Sequence, residues 1–218
     1  MKEYRVKIEL LSDTMPGSGE SVPGTIDSDI RYDAYGLPYM NAKTLKGHLR
    51  EQMEMITAYS KEMADYPLRE LLGASDKEAE KTQGRLKFTD VTLGDGIRSA
   101  IQNAIDTAEH NAAGKENRTV TANDIINALT LTTSYTSIDP STGIVKDHSL
   151  RRERKLRKGL TFYSTLYFDQ DGMSEEEVKK AEKLLDMSIR AIQHIGTHKS
   201  KGMGHVRCTV KPAEEKGI

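Results

Sequence analysis

Three aspartates near the N-terminus, Asp27, Asp29 and Asp33, alternate along a loop that follows a glycine-rich stretch. A carboxylate beside RNA can hold a divalent ion or a water molecule, and so assist the attack of a 2′-hydroxyl group on the neighbouring phosphate. Asp27 and Asp29 are therefore candidate catalytic residues, although loop carboxylates are more often solvated than catalytic. The spacing also suggests a calcium loop, but Arg31 and Tyr32 stand where that loop needs an oxygen ligand and a glycine.

Basic residues follow this acidic loop at the start of a predicted helix. Free N–H groups at a helix start form an anion site when a hydroxyl group and cationic side chains accompany them. Leu45 and Leu49 must face the core, so we expect Lys46 and Arg50 to share an adjoining, more exposed face. Surface charge that only supports helix solubility is the alternative. The candidate phosphate contacts here are Lys43, Thr44, Lys46, Gly47 and Arg50.

Two glycine-rich loops add further candidate contacts with a phosphate backbone. The first contains Gly17, Ser18 and Gly19, but it lacks the third glycine and the helix of a dinucleotide-binding fingerprint. The second, residues 196–205, has three glycines and two lysines within nine residues. Glycine permits close backbone contact and lysine neutralises phosphate, which favours a functional loop over a plain connection. Its candidate residues are Lys199, Lys201, Gly202 and Gly204.

Positive charge is concentrated in one segment of a nearly neutral chain. Residues 146–158 hold seven basic and two acidic side chains, a net charge of +5, whereas the whole chain carries −1. A cluster of basic residues on a nearly neutral protein is what local contact with phosphate requires. A solvated charged segment that binds nothing would show the same cluster, so the charge alone favours neither interpretation. The candidate contacts in this segment are Arg151 and Arg152.

The composition excludes several classes of protein. The 218 residues can bury a full core, and no apolar run approaches the ~20 residues of a membrane span. The single cysteine, Cys208, excludes an internal disulfide and a multi-cysteine zinc site. We therefore expect a cytoplasmic protein with no membrane partner. The six histidines form no evident cluster, but His48, His198 or His205 could act as a general base.

Hydrophobic periodicity predicts an α+β protein that positions these residues on loops and helix starts. The predicted strands cover residues 4–12, 85–93, 160–168 and 205–211. The predicted helices cover residues 41–63, 94–115 and 175–195, with a short one from residue 121. Capping boxes are expected at Thr121 and Ser174, and Gly196 is expected to end the last helix. Residues 130–135 and 151–156 are predicted as the arms of a hairpin. Without insertions the order is βαβ followed by βαβ, the ferredoxin-like pattern.

In combination these motifs resemble the RAMP superfamily of CRISPR-associated proteins. Within it, they resemble the backbone subunits of type III effector complexes, with features of the type III-D branch. Four motifs, in order over nearly the whole chain, carry the resemblance. They are residues 16–19 with 24–27, residues 36–39 with 43–50, residues 71–73 with 84–90, and residues 137–143 with 151–153.

The resemblance implies a single domain that consists of a ferredoxin-like, RRM-like βαββαβ palm with inserted finger and thumb elements. The palm is expected at about residues 1–56, 85–93 and 159–218. The insertions are expected at about residues 57–84 and 94–158, and the second of them includes the thumb, residues 130–158.

Members of this family stack head to tail along a CRISPR RNA and grip its backbone, while base pairing supplies sequence specificity. The implied partners are a CRISPR RNA, a target single-stranded RNA, other type III effector subunits and further copies of this chain. The thumb would insert into the guide–target duplex and splay a nucleotide. In active members an aspartate of the first loop supports metal-dependent cleavage of the target. The matching residue is Asp27, the expected ligand of Mg²⁺ or another divalent cation.

One departure from the family pattern keeps other functions open. Many active members have a proline two residues after this aspartate, where this chain has Asp29. Asp29 could share the catalytic role. The alternatives are a structural subunit that binds guide RNA without cutting the target, and a standalone RNA-processing endoribonuclease that uses a histidine base.

Overall fold

The fold is described from a computed structural model, which covers residues 1–64, 66–74, 83–111 and 120–213. The strands are β1 (Lys2–Leu10), β2 (Arg31–Tyr32), β3 (Pro38–Met40), β4 (Leu86–Phe88), β5 (Val91–Leu93), β6 (Thr130–Tyr135), β7 (Arg151–Leu156), β8 (Thr161–Phe168) and β9 (Val206–Pro212). The helices are α1 (Ala42–Tyr59), α2 (Leu68–Leu72), α3 (Asp95–Asn111), α4 (Ala122–Leu129) and α5 (Glu175–Ala191).

The main sheet is antiparallel, and β1 pairs with β8 on one side and with the edge strand β9 on the other. The strand order is β2-β3-β5-β8-β1-β9, and β4 also pairs with β8. The crossover helices α1 and α5 connect β1 to the β4–β5 segment and β8 to β9. This is the βαββαβ arrangement of a ferredoxin-like fold, so the predicted fold class is confirmed.

The core forms because strand and helix periodicities direct apolar side chains to the same layer. Alternate residues of β1 are buried, as predicted, and so is one face each of α1 and α5. These faces contribute Val6, Ile8, Leu45, Leu49, Met53, Leu184, Leu185 and Ile189. The predicted capping boxes at Thr121 and Ser174 are both present. Asn41 makes no side-chain cap for α1, and Asp90 accepts the Ala42 N–H instead (2.8 Å).

Several elements differ from their predictions. The strand predicted at residues 85–93 is divided into β4 and β5, because Thr89 between them bonds to Thr165 through both its backbone N–H and its hydroxyl oxygen. The helix predicted to end at Gly196 ends at Ala191, since the following residues extend and pair with the start of β9. On α3, Ile101 packs against the core and Ile105 is buried, but Ile97, four residues before Ile101 on the same helical spacing, is 55% exposed. Residues 75–81 of the charged insertion and residues 112–115 of the second predicted helix lie outside the described residues.

The predicted hairpin forms with both arms as expected, β6 pairing with β7 over Thr130–Tyr135 and Arg151–Leu156. The second edge of β7 pairs with the loop between β1 and β2, residues 11–30, called the first loop below. The bridges run from Leu156 to Thr14 and from Glu153 to Ser28. The loop that carries the aspartates is therefore attached to the hairpin. No helix among the described residues is both long enough and apolar enough to cross a membrane.

Candidate nucleic-acid interface

The backbone of Arg152 holds Asp27 at the edge of β7. The Asp27 N–H donates to the Arg152 carbonyl (2.9 Å), and the Arg152 N–H donates to Asp27 Oδ2 (2.7 Å). The Arg151 guanidinium lies 3.9 Å from Oδ1, and the Asp27 side chain is 42% exposed. No other described residue forms a hydrogen bond with Oδ1. One carboxylate oxygen is thus fixed, and the other faces solvent where a ligand can reach it.

Asp29 lies two residues further on, but its side chain is buried. Its carboxylate accepts the Ile30 N–H (2.8 Å) and the Tyr32 hydroxyl (3.2 Å), and it lies 3.6 Å from the Arg154 guanidinium. Burial, with the Asp29 charge, raises the pKa of Tyr32 above its ordinary value. These contacts fasten the loop to β7 and keep Asp29 away from solvent. Of the two candidate catalytic aspartates, Asp27 is therefore the one positioned to meet a substrate.

The donor set around Asp27 limits what kind of metal could bind. Within the described ranges, no three or more His, Cys, Asp or Glu side chains converge on one point. Mg²⁺ often takes only one or two protein carboxylates and completes its shell with water and substrate phosphate oxygens. The open oxygen of Asp27 fits that mode of binding, whereas an all-protein metal cage does not fit.

In the first glycine-rich loop, Ser18 has a structural role, whereas Gly17 and Gly19 are accessible to a ligand. The Ser18 hydroxyl donates to the Asp29 carbonyl and accepts the Glu20 N–H (3.0 Å). Gly17 and Gly19 are exposed, with open space where a side chain would project. A ligand backbone can therefore approach this loop at the two glycines.

The second glycine-rich loop packs on the first one through its own backbone. A Cβ atom at Gly196 would lie 2.0 Å from the Met15 carbonyl oxygen, and one at Gly204 would lie 2.2 Å from that of Ile195. The Gly204 N–H also donates to the Asp13 carbonyl (2.9 Å). Protein packing thus explains Gly204, which was predicted to contact RNA. Lys199, Lys201 and Gly202 are exposed in and beside a 3₁₀ turn, Lys199–Lys201.

His198 joins this second loop to the hairpin. Its Nε2 lies 3.0 Å from Glu153 Oε1, and its ring centroid lies 6.1 Å from that of Tyr135. The ammonium groups of Lys155 and Lys201 lie 4.4 and 5.7 Å from the Tyr135 ring centroid, and Lys155 also bonds to the Tyr135 hydroxyl. Sequence reasoning did not identify this cluster, because the hairpin and the second glycine-rich loop lie more than 40 residues apart along the chain.

The basic residues at the start of α1 lie on a different flank. The Arg50 guanidinium donates to the carbonyls of Leu72 (3.3 Å) and Gly73 (3.0 Å), and so caps the C-terminal end of α2. Lys46 is partly buried, and this burial, with the nearby Arg50 charge, lowers its pKa. Lys46 and Arg50 therefore share a face that is more exposed than that of Leu45 and Leu49, as expected, but both are partly covered and Arg50 is bonded to α2. Lys43 is exposed, and Lys43 and Lys46 line a cavity of about 560 Å³ between α1, α2 and β4.

The opposite flank of α1 faces the second glycine-rich loop. His48 is 15% exposed there, and its Nδ1 lies 3.7 Å from Glu51 Oε2. Burial lowers the pKa of His48 and the Lys199 charge lowers it further, while Glu51 acts in the opposite direction. Thr44 is partly buried one turn before His48, and Gly47 is exposed on the outer surface of the helix.

Comparison with known proteins gives the chain its family. The family model described as the RAMP superfamily matches residues 7–207. The chain belongs to the RAMP superfamily. No curated protein matches the sequence.

Two solved structures share the fold of this RAMP protein. A chain of the type III-B Cmr-β complex bound to cognate target RNA, solved by cryo-EM, matches with a TM-score of 0.65 and 15% identity, covering 96% of this chain and 97% of that chain. A chain of the apo type III-B Cmr-β complex matches with a TM-score of 0.63 and 16% identity, covering 98% of each chain. At these identities the likeness concerns the fold.

The structure of this RAMP protein brings only part of the predicted site together. Asp27, Arg151 and Arg152 meet where the first loop joins β7, and the second glycine-rich loop is attached to the same hairpin by His198. Lys46 and Arg50 instead lie on the face of α1 that is turned toward α2. Sequence reasoning missed Glu153, Tyr135 and Lys155, and the only available signal was their place within the basic hairpin.

Proposed function

We propose that this RAMP protein is a guide-RNA-binding backbone subunit of a cytoplasmic type III CRISPR effector complex, in which Asp27 assists metal-dependent cleavage of target RNA. Its partners would be a CRISPR RNA, a single-stranded target RNA, other effector subunits and copies of itself. One observation carries the proposal: Asp27 presents an open carboxylate oxygen beside two arginines of the hairpin. The fold shared with a chain of an RNA-bound type III-B complex supports it.

Binding would depend on exposed cations and accessible backbone rather than on base reading. Lys199, Lys201, Arg151 and Arg152 are all exposed and can neutralise phosphates. Gly17 and Gly19 leave room for a phosphate backbone to approach. Contacts of this kind do not distinguish sequences, so specificity would come from base pairing between guide and target.

Cleavage would depend on how the chain holds the Asp27 carboxylate. The Arg152 N–H fixes Oδ2, which leaves Oδ1 as the atom that would hold Mg²⁺ or another divalent cation. When bound, such an ion stabilises negative charge that develops on a phosphate. The Arg151 guanidinium, 3.9 Å from Oδ1, adds positive charge at the same place.

A non-catalytic RNA-binding subunit is the second candidate. The observation that favours it is the same Arg151 guanidinium, because a cation beside Asp27 Oδ1 competes with a metal ion for that oxygen. The single carboxylate also makes a weak metal site in the free protein. In this case Asp27 would only hold the first loop on β7.

A metal-independent endoribonuclease is the third candidate, and the His198–Glu153 contact favours it. A carboxylate that orients an imidazole is a common arrangement for a general base. Lys199 and Lys201 would then bind the phosphate. This activity would persist in the presence of a chelator and in the isolated protein.

The deciding experiment measures target-RNA cleavage by the reconstituted complex, with Mg²⁺ and with EDTA. Asp27→Asn keeps an acceptor for the Arg152 N–H but removes the charge. Asp186→Asn is a matched control, since the Asp186 side chain on α5 is 43% exposed. We expect Mg²⁺-dependent cuts at regular intervals that vanish only with Asp27→Asn.

Other outcomes identify the alternatives. A wild-type complex that binds guide and target but never cuts would support the structural subunit. Cutting in EDTA that His198→Ala abolishes would support the metal-independent enzyme. Undiminished Mg²⁺-dependent cutting by Asp27→Asn would remove Asp27 from the mechanism.

A further inference from the structure

The strands β1, β8 and β9 present two different faces. Most of their even-numbered residues are buried in the core beneath α1 and α5. Their odd-numbered residues, within 3–9, 161–167 and 207–211, point to the opposite face, as strand alternation requires, and each of them is partly or fully exposed. The strand register sets these side chains next to one another. This surface is called the open sheet face below.

Two tyrosines of β8 give the open sheet face an aromatic surface. Tyr163 and Tyr167 are both partly exposed, and they lie four residues apart, about 13 Å along the strand. The Arg5 guanidinium carbon lies 4.4 Å from the Tyr163 ring centroid, whereas Tyr167 has no cation or ring partner within the described residues. RNA-binding modules with this sheet topology stack unpaired bases on aromatic rings and on guanidinium planes. The open sheet face thus offers two stacking positions.

The open sheet face is also positively charged. It carries four basic and two acidic side chains, a net charge of +2, on a chain of net charge −1. Lys7 and Glu9 form a salt bridge (2.8 Å). The other three cations, Arg5, Arg207 and Lys211, form no hydrogen bond or salt bridge with any residue that the structure describes. Free cations beside aromatic rings fit a single-stranded nucleic acid, whose phosphates neutralise charge while its bases stack.

We propose that the open sheet face binds single-stranded RNA without base preference. One base stacks on Tyr167 and another on the Arg5–Tyr163 pair, while Arg207 and Lys211 on the edge strand β9 contact phosphates. Stacking does not distinguish bases, because every base has a π-face. A base-paired duplex does not fit this surface, since its bases are already stacked and cannot reach the rings.

Hydroxyl groups on the same face favour RNA over DNA. Thr165 lies between the two tyrosines on β8, and Thr209 lies opposite Lys7 on β9. Both threonines are partly exposed, and a 2′-hydroxyl group of RNA can form a hydrogen bond with either. No residue of the open sheet face belongs to the hairpin or to the two glycine-rich loops. The inference therefore goes beyond the proposed function and does not depend on it.

The first test maps where RNA lies on the free, full-length protein. An oligouridylate that contains 5-iodouridine is cross-linked by light, and mass spectrometry identifies the cross-linked residues. We expect cross-links at Tyr163 and Tyr167, whether or not others form at the hairpin and the second glycine-rich loop. The double variant Arg207→Gln with Lys211→Gln should lower the yield at these tyrosines several-fold, because two phosphate contacts are lost.

A matched control removes the same charge from the helix side of the sheet. Lys61 follows α1 and Lys179 lies on α5, and both are exposed. The double variant Lys61→Gln with Lys179→Gln should keep the wild-type yield at the β8 tyrosines. Cross-links confined to the hairpin and the glycine-rich loops, with none on β8, would overturn the proposal.

The second test measures what stacking contributes. The RNA concentration that gives half-maximal cross-linking at Tyr163 reports binding to this face alone, even when RNA also binds elsewhere. Tyr167→Leu should raise that concentration about tenfold, because one base–aromatic stack is lost. Tyr167→Phe keeps the ring and should behave as wild type, as should Tyr59→Leu, a matched control on α1 that is 89% exposed. An unchanged concentration with Tyr167→Leu would refute stacking on this face.

The last comparison separates RNA from a protein occupant. If two copies of the chain met at the open sheet face, Tyr167→Leu would change the sedimentation coefficient of concentrated protein, and β8 would not cross-link to RNA. That result would also refute the proposal. Asp27→Asn should leave the Tyr163 cross-links unchanged, since Asp27 lies outside this face, so target cleavage and this binding succeed or fail separately. Unfolding temperatures verify that each variant folds.

Discussion

Asp29 belongs to the fold rather than to the chemistry, and its replacement should show this. Asp29→Ala removes the partner of Arg154, whose side chain is only 16% exposed, and two further hydrogen bonds. Breaking a buried pair from one side leaves an uncompensated charge, so we expect a loss of about 3 kcal/mol in the free energy of unfolding. Chemical denaturation measures it, with the exposed Asp27→Ala as control. Equal stabilities of the two variants would contradict this role.

His48 should make stability depend on pH. Its pKa lies below the ordinary 6.5, first because of burial and then because of the Lys199 charge. The unfolded chain therefore takes up a proton before the folded protein does, and the folded state loses stability as the pH falls below about 6.5. Above that pH the full stability is present. We expect His48→Gln to show a smaller fall in unfolding temperature on acidification.

The comparison with Lys199→Ala tests the cause of this pH dependence. Removing the Lys199 charge should weaken the effect without abolishing it, because burial is the larger cause. Parallel unfolding curves for wild type and His48→Gln at every pH would rule out His48 as the titrating group.

Single residues also show where sequence reasoning ends. Residue type identified Asp27 and Asp29 equally, but only the three-dimensional contacts separate an exposed carboxylate from a buried one. Arg50 likewise matched a phosphate contact by type, and its guanidinium instead caps α2. The pairing of His198 with Glu153 joins residues 45 positions apart, which no local pattern encodes.

The second glycine-rich loop should be sensitive to an added side chain at Gly196 and more tolerant of one at Gly202. Gly196→Ala would place a Cβ atom 2.0 Å from the Met15 carbonyl oxygen, at a φ of 88°. Gly202 also has a positive φ, 76°, but open space around it. We expect Gly202→Ala to cost about 1–2 kcal/mol of unfolding free energy, from backbone strain alone. Gly196→Ala should cost clearly more, as measured by denaturation, and equal costs would contradict the close packing of the two loops.

Elements governed by local signals were predicted well. The hairpin arms, both capping boxes and the buried face of α1 follow from alternation, N-cap chemistry and helical spacing. The end of α5 was missed because pairing with β9, a tertiary contact, stops the helix before Gly196. The short strands β2 and β3 were not predicted, since two or three residues carry too little pattern.

Charge and topology combine at the level of the entire chain. The net charge of −1 is an average over a chain that contains a segment of charge +5. Most of that segment lies in the hairpin, and the second edge of β7 pairs with the first loop. The sequence located the charge, but not the loop beside it. The Asp27–Arg152 contact makes hairpin and loop one unit within a single copy of the protein.

Because that unit lies within one copy, we expect the copies that would stack along a guide in the proposed effector complex to cut independently. We expect complexes assembled from mixtures of wild type and Asp27→Asn to lose cuts in direct proportion to the fraction of mutant subunits. Gel analysis of the cleavage products counts the cuts, and mass spectrometry gives the subunit ratio. Mixtures with Asp186→Asn, the exposed aspartate of α5, should keep every cut. A loss steeper than linear would mean that a neighbouring copy contributes its own Asp27 loop to each site, and that the single-chain contact does not define the cutting unit.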